Sequence, residues 1–199
     1  MTELSSIQGQ EPMQIFDAWY QAAQKCGLQE PTHVHLSTCD AAGQPSGRVV
    51  LLKSFDERGF VFYTNLKSRK GQELRANPKA ALCFYWGPLE RQVRVVGNVE
   101  QVTDEEADAY FDSRARGSQI GAWASAQSSP LDRRETLVER VKQEELRFAE
   151  REVARPPHWS GIRVLPREIE FWQGMPSRLH DRVRFVRQND EWVREMLYP

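Results

Sequence analysis

The chain has only three cysteines in 199 residues, no long apolar run and almost no net charge. Each scarcity excludes something. Cys26, Cys39 and Cys83 are odd in number and widely spaced, with no CxxC and no Cys/His ligand run beside them. A disulfide framework or a zinc site is therefore not expected, and three buried, reduced thiols are. Nowhere do 18 apolar residues run together, so no membrane-spanning helix is expected. Residues 1–13 lack the basic and apolar regions of a secretory signal, which points to the cytoplasm. A net charge of −1 argues against wholesale nucleic-acid binding, so any anion site must be local. GxGxxG, Walker, GxSxG and HExxH motifs are all missing, as is an internal repeat. With no built-in nucleophile or metal centre in view, the chemistry must come from a bound cofactor.

What is present reads as one domain over residues 1–199. Residues 1–11 are polar and expected to be mobile. Ile15, Phe16, Trp19 and Ala22 or Ala23 recur at helical spacing and predict a helix over 12–26, closed by Cys26-Gly27. Strand-like runs follow at 34–39, 48–55, 60–64, 80–86 and 92–102, mostly separated by turn-forming residues. A short helix over 68–76 interrupts them. Thr103-Asp-Glu-Glu106 is a capping box that opens a helix through Arg114, and Asp132-Arg-Arg-Glu135 is read as a second, opening a charged helix to about 150. Strands over 161–172, 179–187 and 192–197 close the chain. Short strands with helices inserted late predict a mainly β fold, an antiparallel barrel with peripheral helices.

Three constellations carry chemistry. Arg48 and Lys53 bracket an otherwise apolar run, read as a buried strand with charged rims. Close by, Ser68 is a good N-cap that puts Arg69 and Lys70 in the first turn of a helix, where cations oppose the macrodipole. An anion bound there would reverse that penalty, so the cluster reads either as a phosphate site or as a solvated basic turn. In Arg178-Leu-His-Asp-Arg182, strand alternation would set Arg178, His180 and Arg182 on one face, near Glu170 and Trp172. That suits a polar pocket with a ring-stacking wall, or an exposed edge strand with salt bridges. Tyr110 and Arg114, four apart on one helix, with Ser118 beyond them, suit a second phosphate. His33 and His35, with Cys39 nearby, lack a third ligand at suitable spacing, and no metal site is assigned.

Together these residues resemble the pyridoxine/pyridoxamine 5′-phosphate oxidase family. The resemblance runs from about Pro31 to Pro199. It is carried by Arg48-Val-Val-Leu-Leu-Lys53, Phe62-Tyr-Thr-Asn65 through Ser68-Arg-Lys70, Leu89-Glu-Arg-Gln92, Ser118-Gln-Ile-Gly-Ala-Trp123, Glu170-Phe-Trp-Gln-Gly174 and Arg178-Leu-His-Asp-Arg182. It implies an FMN-binding split β-barrel that works as a homodimer, with FMN at the subunit interface. FMN would contact Arg48, Val49, Lys53, Tyr63, Thr64, Arg69 and Lys70, with Gln92, Gln127, Ser128, Trp172 and Arg182 completing the site, some from the partner. Lys53, Tyr110, Arg114 and Ser118 would hold the substrate phosphate, and Arg178, Leu179 and His180 would lie at the substrate ring. Arg178 and His180 are the catalytic candidates.

The implied reaction oxidises pyridoxamine or pyridoxine 5′-phosphate to pyridoxal 5′-phosphate. A hydride equivalent moves from C4′ to the flavin, O2 accepts the electrons and H2O2 leaves. Unlike many members, the chain has no arginine or tyrosine in residues 2–11, and no residue there is assigned to the site. Two alternatives stand beside this reading: a sister flavin oxidase of the phenazine-biosynthesis type, and a non-catalytic flavin or vitamer carrier.

Overall fold

The computed structural model describes Leu4 and residues 11–199. The expectation of a mobile stretch over 1–11 therefore falls almost wholly outside the described residues.

The core is organised by α1 (Pro12–Lys25), which begins with a proline where a missing N–H costs nothing. The helical spacing of Ile15, Phe16, Trp19 and Ala23 buries all four on one face. Phe16 is fully enclosed, edge-on to Phe55, Phe60 and Phe84 at ring-centroid distances of 4.9, 4.8 and 5.1 Å. Edge-to-face pairs add to the burial term, so this ring ties the helix to the sheet. Phe16→Ala is expected to cost about 3–5 kcal/mol, read as a lower urea midpoint at unchanged slope. A loss below about 1 kcal/mol would mean that the site collapses around the deletion.

Among the described residues, nine antiparallel strands form the sheet: β1 (His33–Cys39), β2 (Pro45–Leu51), β3 (Ser54–Asp56), β4 (Gly59–Asn65), β5 (Lys79–Trp86), β6 (Arg91–Gln101), β7 (Trp159–Gln173), β8 (Asp181–Gln188) and β9 (Glu191–Met196). Their order is β2-β1-β5-β6-β7-β4-β3, with β8 added to β7 and β9 to β8. The sheet curls into a half-barrel around the aromatic core, and the remaining helices lie at its periphery. The long strand β7 makes this possible by changing partners: residues 159–164 pair with β4 and residues 168–173 with β8. Midway, the register against β6 slips between Val96 and Gly97. A Cβ on Gly97 would sit 2.0 Å from the Leu165 carbonyl oxygen, so the close approach at this bend requires glycine.

Several local expectations need correction. The run 48–55 is not one buried strand. β2 is an edge strand with Val49 60% exposed, and the chain breaks at Leu52-Lys53 before β3. The break is a change of partner: the Leu52 N–H donates to Thr32 O, and the next N–H, Lys53, donates to Val61 O of β4. The helix opened by Thr103, α3 (Asp104–Asp112), has its capping box but stops before Arg114. A helix not foreseen, α4 (Arg116–Ala124), follows at once; Gly117 and Gly121 had masked it. The charged helix is α5 (Arg134–Arg147), whose N-cap is Arg133 with no side-chain cap bond, so no second capping box forms. The three thiols are free but half-buried rather than buried.

The largest correction concerns residues 178–180. They lie outside the strand, in and after a 3-10 turn at Pro176–Arg178. Ser177 and Arg178 take φ values of 60° and 61°, which turns the chain back on itself before β8 starts at Asp181. The strand-face alignment of Arg178, His180 and Arg182 therefore does not occur.

Candidate active site

β2 and β4 approach each other where the half-barrel opens, and a cavity of about 720 Å³ lies beside them. β2 and the residues after it supply Arg48, Val49 and Lys53; β4 supplies Tyr63, Thr64 and Asn65. Lys70 comes from the first turn of α2 (Arg69–Ala76), and Tyr110 from α3. Arg114, Ser118 and Gln127 reach in from around α4, and Trp159 from the start of β7. Four of these side chains are cationic, and among the described residues no Asp or Glu lines the cavity. In a chain of net charge −1 this is a local concentration of positive charge, as an anionic ligand requires.

Local sequence explains each position. Ser68 caps α2, its hydroxyl accepting from the Gly71 N–H at 3.4 Å. That orients the first turn, so Lys70 Nζ donates to Gln127 Oε1 at 3.1 Å, the same oxygen that accepts from Thr64 Oγ1 at 3.1 Å. Burial lowers the Lys70 pKa, and the nearby Arg48 lowers it further. An anion in the cavity would oppose both effects and favour the charged form.

The opposite wall is aromatic. Tyr63 stacks on Tyr110 at 3.9 Å and on Trp159 at 5.1 Å, and the Arg114 guanidinium lies 4.7 Å over the Trp159 ring. Arg114 Nη1 is buried without a hydrogen-bond partner, and desolvation lowers the pKa of the group. A buried, unpaired guanidinium nitrogen at an acid-free cavity is a donor waiting for an anion.

Beneath the cavity floor lies a carboxylate that sequence reading passed over. Glu73 is 5% exposed and accepts hydrogen bonds from Thr38, from Ser46 Oγ at 2.6 Å, from Arg48 Nη2 at 3.1 Å and from Arg69 Nε at 2.8 Å. Burial alone would raise its pKa, but the bonds from Ser46, Thr38, Arg69 and Arg48 outweigh burial and hold it at about 2. Its signal in the sequence was the i,i+4 spacing to Arg69. Trp159 was also missed, because its partners come from α3 and β4.

Glu106 lies at a smaller neighbouring cavity that shares Tyr63 and Tyr110 with this one. A hydrogen bond from Arg163 at 2.7 Å, opposed by burial and aided by Thr103 N–H and Arg58, holds its pKa at about 2. A depressed carboxyl contributes stability fully above its unfolded pKa, near 4.5, and loses it as pH falls towards 2. Denaturant midpoints of the wild type and Glu106→Gln should therefore differ at pH 7 and converge between pH 4.5 and 2. A gap that persists at pH 2 would show that the charge is not its source.

A second cluster sits at the far end of the sheet. Gln92, Trp172 and Arg182 are in register across β6, β7 and β8. Arg182 donates to the buried Glu170 at 2.9 and 2.7 Å, and Glu170 also pairs with Arg94. The His180 ring lies 4.6 Å from Trp172, and its Nδ1 accepts from the Met175 N–H at 3.1 Å. Arg178 and Leu179 are exposed beside it. Arg69 and Ser128 line neither the large cavity nor this cluster; Arg69 is held by Glu73, and Ser128 sits exposed at φ 70°. Trp159 and Trp172 stand 13 residues apart on β7, roughly 40 Å along a strand. Within one chain the two clusters are therefore separate.

The half-barrel, the basic cavity and its flat aromatic wall define a flavin-binding split barrel. Comparison with known proteins gives the family. Residues 20–148 match the family described as "Pyridoxamine 5'-phosphate oxidase", and residues 159–199 match "Pyridoxine 5'-phosphate oxidase C-terminal dimerisation region". The chain belongs to the pyridoxine/pyridoxamine 5′-phosphate oxidase family of FMN-dependent oxidoreductases.

Among its relatives, a pyridoxine/pyridoxamine 5′-phosphate oxidase of Myxococcus xanthus is 57% identical over 189 residues, covering 95% of this chain and 92% of that protein. One from Rubrobacter xylanophilus is 53% identical over 189 residues, covering 95% and 87%. Among solved structures, PhzG from Burkholderia lata in complex with tetrahydrophenazine-1-carboxylic acid superposes with a TM-score of 0.90 at 31% identity, covering 95% of this chain and 93% of that one. A pyridoxamine 5′-phosphate oxidase-related, FMN-binding protein of Nostoc punctiforme has the same fold, with a TM-score of 0.75 at 16% identity and coverage of 96% and 99%.

Proposed function

We propose that the protein is a cytoplasmic enzyme that oxidises pyridoxamine 5′-phosphate and pyridoxine 5′-phosphate to pyridoxal 5′-phosphate, with O2 as acceptor and H2O2 released; from the amine, water supplies the aldehyde oxygen and ammonia leaves. The observation that carries this reading is the acid-free cavity with four cationic side chains and a stacked aromatic wall. Its size and charge suit two phosphorylated ligands side by side. FMN bound there would supply the two-electron redox chemistry that links oxidation at the substrate's C4′ to reduction of O2.

The chain's own residues bind and orient. Arg48, Lys53, Lys70 and the first turn of α2 hold the cofactor's phosphate, while Thr64 and Gln127 fix Lys70 beneath it. Tyr110, Arg114 and Ser118, with Lys53, hold the substrate's phosphate. Gln92, Trp172, Arg182, Arg178, Leu179 and His180 enter from a partner subunit, so the working unit is a homodimer with FMN at its interface. The roughly 40 Å between the two clusters along β7 and the match of residues 159–199 to a dimerisation region support this arrangement. Arg178 stabilises charge developing at the substrate, and His180, seated on Trp172, orients the ring. Arg178→Ala is therefore expected to lower kcat while FMN stays bound; parallel loss of both, followed by flavin absorbance, would defeat this division of roles.

A second reading has an observation behind it. The likeness to PhzG, solved with a phenazine ligand, favours a sister oxidase acting on a phosphate-free ring. Tyr110, Arg114 and Ser118 weigh against it, since such a substrate leaves those polar groups unsatisfied. The test is to add pyridoxamine 5′-phosphate, or a dihydrophenazine carboxylate, to the FMN-loaded protein in air. Aldehyde and peroxide in equal amounts from the first substrate alone are expected. Turnover of the second alone would reassign the substrate, and FMN binding without turnover of either would leave a carrier.

A further inference from the structure

We propose that Glu73 is a positioning residue for the cofactor: from beneath the cavity it fixes the guanidinium groups of Arg48 and Arg69, and so sets both FMN affinity and the preference for FMN over riboflavin. The inference rests on the reading that the basic end of the cavity holds the FMN phosphate.

The geometry is that of a hub. Oε2 accepts from Thr38, Ser46 and Arg48, and Oε1 accepts from Arg69, so donors from β1, β2 and α2 meet on one carboxylate. Arg48 is tied to the same hydroxyls as well, with Nη1 donating to Thr38 Oγ1 and Nη2 to Ser46 Oγ. Glu73 itself does not line the cavity, whereas Arg48 does. A buried charge is a poor source of net stability, since taking it out of water offsets most of what its partners return. Its use here is orientation. Arg48 at the cavity wall, and Arg69 in the same helical turn as the cavity-lining Lys70, would otherwise each lose side-chain freedom on meeting a phosphate, and a carboxylate that fixes them beforehand removes that cost. It also lowers the mutual repulsion of the basic cluster, since Arg48 and Glu73 act in opposite directions on Lys70.

Charge and position predict opposite signs. Glu73→Gln removes a negative charge near the phosphate, which by charge alone would tighten FMN binding. The amide oxygen offers two lone pairs where the carboxylate offers four, and the new N–H groups face donors. If Glu73 works by positioning, the guanidinium groups come loose and FMN binding weakens.

The experiment titrates apoprotein with FMN and with riboflavin, following flavin fluorescence, for the wild type, Glu73→Gln, Arg48→Ala/Arg69→Ala and the triple variant. The expected result is an FMN Kd raised about tenfold or more in Glu73→Gln, with riboflavin affinity changed less than about twofold. In the Arg48→Ala/Arg69→Ala background the same substitution should change the FMN Kd by less than about threefold, because its effect runs through those arginines. Tighter or unchanged FMN binding would overturn the proposal, as would equal losses for FMN and riboflavin, which mark a general effect on the fold. Ser46→Ala removes one link of the hub from a half-buried position and should weaken FMN selectively, though less; it decides the question if Glu73→Gln does not fold. Should Arg48→Ala/Arg69→Ala and Lys70→Ala all leave FMN affinity unchanged, the phosphate assignment fails, not the role of Glu73 alone.

Discussion

Two nearly inactive variants, co-expressed, are expected to restore about a quarter of wild-type activity by simple pairing statistics. One carries Lys70→Ala and Arg114→Ala in the large cavity. The other carries Arg178→Ala and His180→Ala in the distant cluster. If each active site joins the cavity of one subunit to the cluster of the other, a heterodimer of the two has one doubly damaged site and one intact site. Random pairing makes half the dimers mixed, and half of their sites work. The basis is distance: Trp159 and Trp172 mark the two clusters at opposite ends of one extended strand. The measurement is peroxide release per subunit, against each parent: about a quarter of wild type in the co-expressed mixture, and about half in separately tagged, doubly purified heterodimers. Activity no higher than the parents' average would mean that the subunits do not share sites. A fully active Arg178→Ala/His180→Ala parent would remove the distant cluster from the chemistry altogether.

How much of this was legible beforehand depends on whether a residue's role is local. α1, the N-cap Ser68 and the capping box of Thr103 and Glu106 follow from spacing and hydrogen-bond chemistry within a few residues, and they appear as read. The break at Leu52-Lys53 did not show, because it arises from an exchange of β1 for β4 as partner, a long-range event. Residues 178–182 looked like an alternating strand by pattern. Two successive left-handed residues, neither of them glycine, override that pattern, and nothing in Ser177-Arg178 announces them. α4 was hidden because glycine lowers helix propensity, while the burial of Ile120 and Ala124 that offsets it is tertiary.

The site divides the same way. Arg48, Lys53, Lys70, Tyr110, Arg114 and Ser118 were singled out as residue types suited to phosphate, and the fold brings all six to one cavity. The groups that fix them were not singled out. Glu73 gains its meaning only when Thr38, Ser46, Arg48 and Arg69 converge on it, and Trp159 only when Arg114 lies across its face. Ligand-facing residues are constrained by chemistry that can be read from type. Supporting residues are constrained by packing, which many sequences satisfy in other ways.

Arg114 has the second large expected effect. Its guanidinium is oriented by rings, 4.7 Å over Trp159 and 5.6 Å over Phe111, and is not paired to an acid. Stacking of this kind leaves the in-plane donors free, and Nη1 is buried with no partner. A hydrogen bond to a charged group contributes about 1.5–3 kcal/mol, or roughly 10- to 150-fold. Arg114→Ala is therefore expected to lower kcat/KM for pyridoxamine 5′-phosphate by that factor. FMN affinity and whatever rate is measured with unphosphorylated pyridoxamine should stay within about twofold, so any preference for the phosphorylated substrate collapses. Arg114→Lys should not restore it, since an ammonium on a flexible stem neither stacks on Trp159 nor presents a planar fork. Steady-state kinetics on the two amines, with FMN titrated separately, decide the matter. An unchanged phosphate preference would remove Arg114 from the substrate site, and a selective loss of FMN would move it to the cofactor's.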